Sequence, residues 1–145
     1  MGDHKMLVVY VDGASRGNPG NASYGVCIQD PEGNTCAEFN HYIGKATNSV
    51  AEYSALIRGL EEAKRLGAEE VRIYTDSQLV ARQFDGTYRV KHPDMRSLLT
   101  RVRELEKNFK TVSVTHIPRS SHPGNKRADQ LANLALDRLA SLKKD

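Results

Sequence analysis

The sequence predicts an α/β domain built on one five-stranded mixed sheet, with helices on both faces and the element order β-β-β-α-β-α-α-β-α. Three observations carry that reading. Short apolar runs separated by turn signals fill the N-terminal third. The apolar period then switches to the helical 3.6. Strand-like and helix-like segments alternate thereafter, as crossovers over a sheet require.

Met6 to Val11 is an apolar run ending at Asp12-Gly13, which reads as a strand followed by a turn. Tyr24 to Gln29 and Thr35 to Ile43 are the next strands, joined by Pro31-Glu32-Gly33-Asn34. From Ser49 to Leu66, residues Ala51, Ala55, Leu56, Leu60 and Ala63 share one helical face, and Gly67 supplies the stop. Val71, Ile73 and Tyr74 mark the fourth strand, which leads into Thr75-Asp76-Ser77. Ser77 to Phe84 reads as a short helix. Asp94 to Phe109 reads as a longer one, with Met95, Leu98, Leu99, Val102 and Leu105 on one side. Val112 to Ile117 alternates as a last strand, and a final helix from about Lys126 to Leu142 is expected to bury Leu131, Leu134, Ala135 and Leu139. Three meandering strands followed by right-handed crossovers make one sheet. No linker, repeat or low-complexity tract interrupts it, so residues 1–145 are read as a single domain.

Composition narrows the function classes. A chain of 145 residues, 39% hydrophobic and 27% charged, has the profile of an ordinary globular domain. Its longest apolar run, within Met6 to Val11, is far below the ~18 residues of a membrane span. That run is also too short for a signal peptide, and Met6 breaks the Met1-Gly2 myristoylation pattern. Cys27 and Cys36 are too few for a disulfide scaffold. A symmetric hairpin pairs position 29 with 36 and 27 with 38, which makes the cysteines diagonal neighbours, ~7–8 Å apart and beyond bridging distance. Reduced thiols in a cytoplasmic, monomeric protein are expected.

The net charge is +3, but Arg82 to Lys110 holds eight Lys/Arg against Asp85, Asp94, Glu104 and Glu106, an excess of +4. Such a segment suits a polyanion or is a solvated helix face.

Four acids stand where such a fold gathers ligands. Asp12 and Asp76 follow strands, and ligands collect at the carboxyl ends of strands. Glu52 and Asp129 fall in the first turns of two predicted helices. Each also has a purely structural alternative. Asp12 suits an Asx turn, Ser49-Val50-Ala51-Glu52 matches a capping box, Asp129 suits a helix dipole, and Asp76 suits a cap.

The surrounding segments favour the functional alternative. Tyr10-Val11-Asp12-Gly13-Ala14-Ser15-Arg16-Gly17-Asn18-Pro19-Gly20, Thr47-Asn48-Ser49-Val50-Ala51-Glu52-Tyr53, Thr75-Asp76-Ser77-Gln78 and Asn125-Lys126-Arg127-Ala128-Asp129-Gln130-Leu131-Ala132 occur in order. Through them, residues 6 to 140 resemble a type 1 ribonuclease H. The resemblance implies the ribonuclease H-like fold and an endonuclease that hydrolyses the RNA strand of RNA–DNA hybrids, leaving 5′-phosphate and 3′-hydroxyl ends. Four clustered carboxylates repel one another unless cations neutralise them. Their hard oxygens suit two Mg²⁺ ions, with Mn²⁺ as the alternative. By resemblance Asp12 bridges both ions, Asp129 holds the ion that activates water, and Glu52 and Asp76 hold the other.

The resemblance also implies how RNA is chosen. An A-like hybrid shows its 2′-hydroxyls in a wide, shallow minor groove. Asn18, Asn48, Ser49 and Gln78 match positions that read that groove. Gly13, Ala14 and Ser15 match the loop that approaches the RNA strand, and Thr47 matches a residue on a DNA-strand phosphate. Two departures stand out. Arg119 occupies the position, ten residues before the last acid, where many members carry a mobile-loop histidine. His122 is the candidate for that role, with Arg119 as the substitute. The chain also lacks Trp and the long basic protrusion of some relatives, leaving Tyr88, Arg89 and Lys91 as a reduced handle.

Overall fold

The Asp12-Gly13 pair does not turn the chain. In the computed structural model, which describes residues 5–142, the first strand runs straight through it as β1, Met6–Gly17. Gly13 serves a close approach instead. A Cβ there would lie 2.4 Å from both the Ala51 carbonyl carbon and the Glu52 nitrogen. The Met1-Gly2 pattern lies outside the described residues.

β2 (Gly20–Gln29) and β3 (Thr35–Ala46) complete an antiparallel meander, followed by α1 (Asn48–Arg65), β4 (Glu70–Thr75), α2 (Gln78–Phe84), α3 (Pro93–Glu106), β5 (Thr111–His116) and α4 (Pro123–Leu142). The five strands lie in the order β3-β2-β1-β4-β5, with β4 parallel to both of its neighbours. This is the predicted mixed sheet and element order.

Alternation along the strands divides two hydrophobic layers. Leu7, Val9 and Val11 of β1 face one way and pack with Leu56 and Leu60 of α1, Val80 and Phe84 of α2, and Val102 of α3. Tyr10 faces the other way and packs with Cys27, Ile117 and Ala128 beneath α4. Ala51, Ala55, Leu56, Leu60 and Ala63 are all fully buried, so the predicted α1 face is the observed one. On α3, Met95, Val102 and Leu105 are buried while Leu98 and Leu99 are half-buried. Gly67, at φ +84°, follows α1 in the left-handed conformation expected of its stop signal.

The capping box is overturned. Thr47 is the N-cap of α1, and its hydroxyl accepts from the Val50 amide at 3.2 Å. Ser49 therefore lies inside the helix and Glu52 in its second turn, which frees the Glu52 carboxylate from capping.

α4 corrects two further expectations. It begins at Pro123 rather than near Lys126, so Asp129 sits in the second turn, beyond the strongest part of the dipole. Its buried face is Ala128, Leu131, Ala132 and Leu136, whereas Leu134 is 39% exposed. The cause lies on β2. A Cβ on Gly25 would fall 2.0 Å from the Ala128 carbonyl oxygen, and the Ser23 hydroxyl donates to the Ala132 carbonyl at 2.5 Å. These contacts turn the 128/132 edge onto the sheet and leave Leu134 outward.

The hairpin register is also shifted at one end. Cys27 pairs with Glu38 as expected, but a bulge between Ile28 and Gln29 pairs Gln29 with Thr35 instead of position 36. The extra residue moves Cys36 to the opposite face. Cys27 packs in the α4 layer and Cys36 against the α1 layer, and both are free thiols. Thiol titration of the denatured, non-reduced protein should therefore count two thiols per chain, and finding none would contradict the register.

A buried polar link ties α1 to α2. The Tyr53 hydroxyl donates to Gln83 Oε1 at 2.6 Å, with Tyr53 0% and Gln83 7% exposed. Tyr53→Phe leaves that amide oxygen without its donor, a loss of about 1–2 kcal/mol. Thermal melts should show Tm lower by about 3–6 °C; an unchanged melt would mean that the amide finds another donor.

Candidate active site

Val11 and Thr75 are the last pair of the parallel ladder between β1 and β4. The residues that follow them, Asp12 and Asp76, therefore emerge side by side where β4 stops and β1 continues along β2 alone. Gly13 lets the backbone of α1 come against β1, which brings Glu52 to the same point. From the opposite layer, the contact of Gly25 with α4 brings in Asp129. Two glycine-mediated approaches thus carry two helices to one gap in the sheet.

Asp12, Glu52 and Asp76 each offer a carboxylate oxygen, and the three oxygens lie within 4.8 Å of one another. Asp129 shares their pocket of about 330 Å³, which is also lined by Gly13, Ala14, Ser15, Arg16, Asn48, Arg119 and Asn133. Burial pushes the Asp12 carboxyl up to about 10, reinforced by the charges of Glu52 and Asp76 and by a hydrogen bond with Asp129. Burial and Asp76 push Glu52 up to about 8, against the pull of a hydrogen bond from the Gly13 backbone. One Glu52 oxygen, Oε2, is sealed from solvent and has no hydrogen-bond partner. A buried carboxylate oxygen without a donor, beside carboxylates whose charges push Asp12 and Glu52 up, fits a hard divalent cation.

The sequence pattern of the "Reverse transcriptase-like" family matches residues 10–135. "Ribonuclease HI" of Halobacterium salinarum is 47% identical over 128 residues, 88% of this chain and 63% of the relative. The crystal structure of RNase H1 from the same archaeon superimposes with a TM-score of 0.87 at 45% identity, covering 92% of this chain and 98% of that one. The chain belongs to the type 1 ribonuclease H family. LC11-RNase H1, a protein isolated from compost and solved in complex with an RNA/DNA hybrid, is 40% identical with a TM-score of 0.87, covering 92% of this chain and 99% of that one. This chain spans 63% of the Halobacterium relative and 36% of a bifunctional protein of Mycobacterium tuberculosis, so it is shorter than both.

In this ribonuclease H chain the expected substrate residues separate into two places. Gly13, Ala14, Ser15 and Asn48 line the carboxylate pocket. Asn18, Thr47 and Ser49 line an adjoining groove of about 520 Å³ with Arg89, Lys91 and His92. Asn18 Oδ1 accepts from the Asn48 amide at 3.0 Å, which ties the β1–β2 turn to the start of α1. Gln78 is exposed at the first position of α2 and lines neither. Half of the basic excess in the Arg82–Lys110 segment meets acids outside it, Glu61 and Glu69, and two more of its cations pair within it. Arg82 pairs with Asp85, Arg101 with Glu61, Arg103 with Glu106 and Lys110 with Glu69.

His122 does not line the pocket, and Arg119 does. The imidazole lies 6.0 Å from both the Tyr10 and Tyr74 rings, and its Nδ1 is 2.8 Å from the Ser121 hydroxyl. The loop between them is held firmly. Ser120 has φ +59°, and its amide donates to Oδ1 of the buried Asn125 at 2.5 Å. The sequence reading of this ribonuclease H missed Arg16 and Asn133 as pocket residues. Asn133 donates to the Asp129 carboxylate at 3.2 Å. The available signal was the spacing of four through Asp129, Asn133 and Asp137, which places three polar residues along one helix edge.

Proposed function

We propose that the chain is an endonuclease that hydrolyses the RNA strand of RNA–DNA hybrids, leaving 5′-phosphate and 3′-hydroxyl ends, with two Mg²⁺ ions held by Asp12, Glu52, Asp76 and Asp129. Mn²⁺ is the alternative ion. The observation that carries this reading is the convergence of four carboxylates from β1, α1, β4 and α4 in one pocket rimmed by backbone and short polar groups. The complex of LC11-RNase H1 with an RNA/DNA hybrid supports the substrate class.

When bound, the cations supply Lewis-acid charge that activates the attacking water and stabilises the leaving oxygen. The protein's own part is placement. Asp12 is central, because its carboxylate lies close to those of Glu52 and Asp76 and shares a hydrogen bond with Asp129. Asn133 orients Asp129 through its amide. Gly13, Ala14 and Ser15 present backbone to the RNA strand, and Asn48 and Ser49 offer groups short enough for the minor groove. By the resemblance, Thr47 serves a phosphate of the DNA strand, and Asn18 and Gln78 serve the minor groove with Asn48 and Ser49. Arg119, which lines the pocket, takes on the cut phosphate the role that the resemblance gives to a loop histidine, in place of His122.

No described helix is long and apolar enough to cross a membrane. Free thiols are consistent with a cytoplasmic monomer working on nucleic acid. The test is a cleavage assay on labelled RNA–DNA, RNA–RNA, DNA–DNA and single-stranded RNA with Mg²⁺. Cutting confined to the RNA of the hybrid is expected. Equal cutting of double-stranded RNA or of DNA would remove the hybrid specificity.

A further inference from the structure

Arg16 is placed oddly for a residue in an acidic pocket. It lines the pocket beside four carboxylates, yet its guanidinium pairs with none of them. Nη2 instead donates to Asp137 at 2.5 Å and approaches Asn133 Oδ1 at 3.4 Å. Asp137 stands one turn beyond Asn133 on α4, with its side chain 63% exposed. Asn133 in turn donates to Asp129. A chain of contacts thus runs from an exposed acid through arginine and amide to a pocket carboxylate, and it fixes the orientation of the Asn133 amide. Its oxygen faces the guanidinium and its NH₂ faces Asp129.

An exposed ion pair is weak and readily exchanged. A phosphate is a better partner for a guanidinium, since it accepts two parallel charge-assisted hydrogen bonds and releases counterions from the nucleic acid. Arg16 and Arg119 are the two cations that line the pocket among the described residues. Arg16 is held by a partner that faces solvent rather than the site.

We infer that Arg16 is a substrate-phosphate ligand, held on Asp137 when no nucleic acid is bound and transferred to a backbone phosphate of the RNA strand when the hybrid arrives. The inference rests on the functional reading above and names a contact that reading does not use. Asp137 is a competing partner that lowers affinity, and Asn133 keeps Asp129 oriented while Arg16 exchanges.

The experiment measures binding of a fluorescent RNA–DNA hybrid across a salt series, in the Asp12→Asn background so that the hybrid stays intact. Arg16→Ala should weaken binding about three- to tenfold and make the slope of log K against log salt shallower by about 0.9, one phosphate contact. Arg16→Lys should keep the slope but lose part of the affinity, because the fork is gone. Asp137→Asn should tighten binding about twofold, and that gain should vanish when Arg16 is already alanine. An unchanged slope in Arg16→Ala overturns the inference. So does an Asp137→Asn gain that persists without Arg16, which would mark a general charge effect. A parent that fails to bind the hybrid removes the functional reading, and this inference with it.

Discussion

Asp12→Asn is expected to abolish cleavage and, in chelator, to make the protein more stable than the wild type. Both effects come from one geometry. Asp12 is 5% exposed, and its carboxyl is raised to about 10 by burial and by the charges of Glu52 and Asp76. An amide has one oxygen where the carboxylate has two and carries no charge, so it would hold a divalent cation poorly, and turnover should fall by about a thousandfold or more, the scale of losing a key electrostatic group. Hybrid binding should remain measurable.

Stability moves the other way. In the unfolded chain Asp and Glu titrate near ~4, whereas in the metal-free fold Asp12 and Glu52 are raised to about 10 and about 8. Between those values the folded state binds more protons than the unfolded state, so stability falls as pH rises from ~4 towards 8–10 and is unaffected by these groups below ~4. At pH 8 in chelator the Asp12 carboxyl must take up a proton for the chain to fold; Asp12→Asn removes that requirement, and Tm should rise by about 5 °C. Added Mg²⁺ should stabilise the wild type more than the variant. A variant that loses activity and stability together would mark Asp12 as a structural residue.

The second large effect is expected at Arg119. Arg119→Ala should lower turnover by about ten- to a hundredfold, since a pocket cation beside a developing phosphate charge acts on the transition state. His122→Ala should be much milder in rate. Its ring stacks on Tyr74 and lies tilted against Tyr10 rather than entering the pocket, so the variant loses about 0.5–1.5 kcal/mol of stability instead. The pH profile separates the two. A guanidinium does not titrate near neutrality, so the wild-type rate should show no histidine limb at ~6.5. A limb that disappears in His122→Ala would return the role to the histidine, and silence in both variants would leave the loop as a connector.

The order of elements, the apolar face of α1 and the four acids were legible in the sequence because each rests on local information: period, stop signals and short motifs. The cysteines were half legible. Their diagonal spacing followed from a symmetric hairpin, but only the sheet shows the bulge that sends Cys36 to the other face. Tertiary structure also decided the length of β1, the true cap of α1 and the exposure of Leu134. The cap rests on a local contact between the Thr47 hydroxyl and the Val50 amide, whereas the other two rest on non-local approaches. Gly13 accepts the backbone of α1 and Gly25 that of α4, so residues distant in sequence set how closely a helix lies on the sheet and which edge it buries. The same approaches bring Glu52 and Asp129 to Asp12 and Asp76, in a pocket that Arg119 lines and His122 does not. A sequence names the residues that carry the chemistry, whereas their distances depend on how closely two backbones can meet.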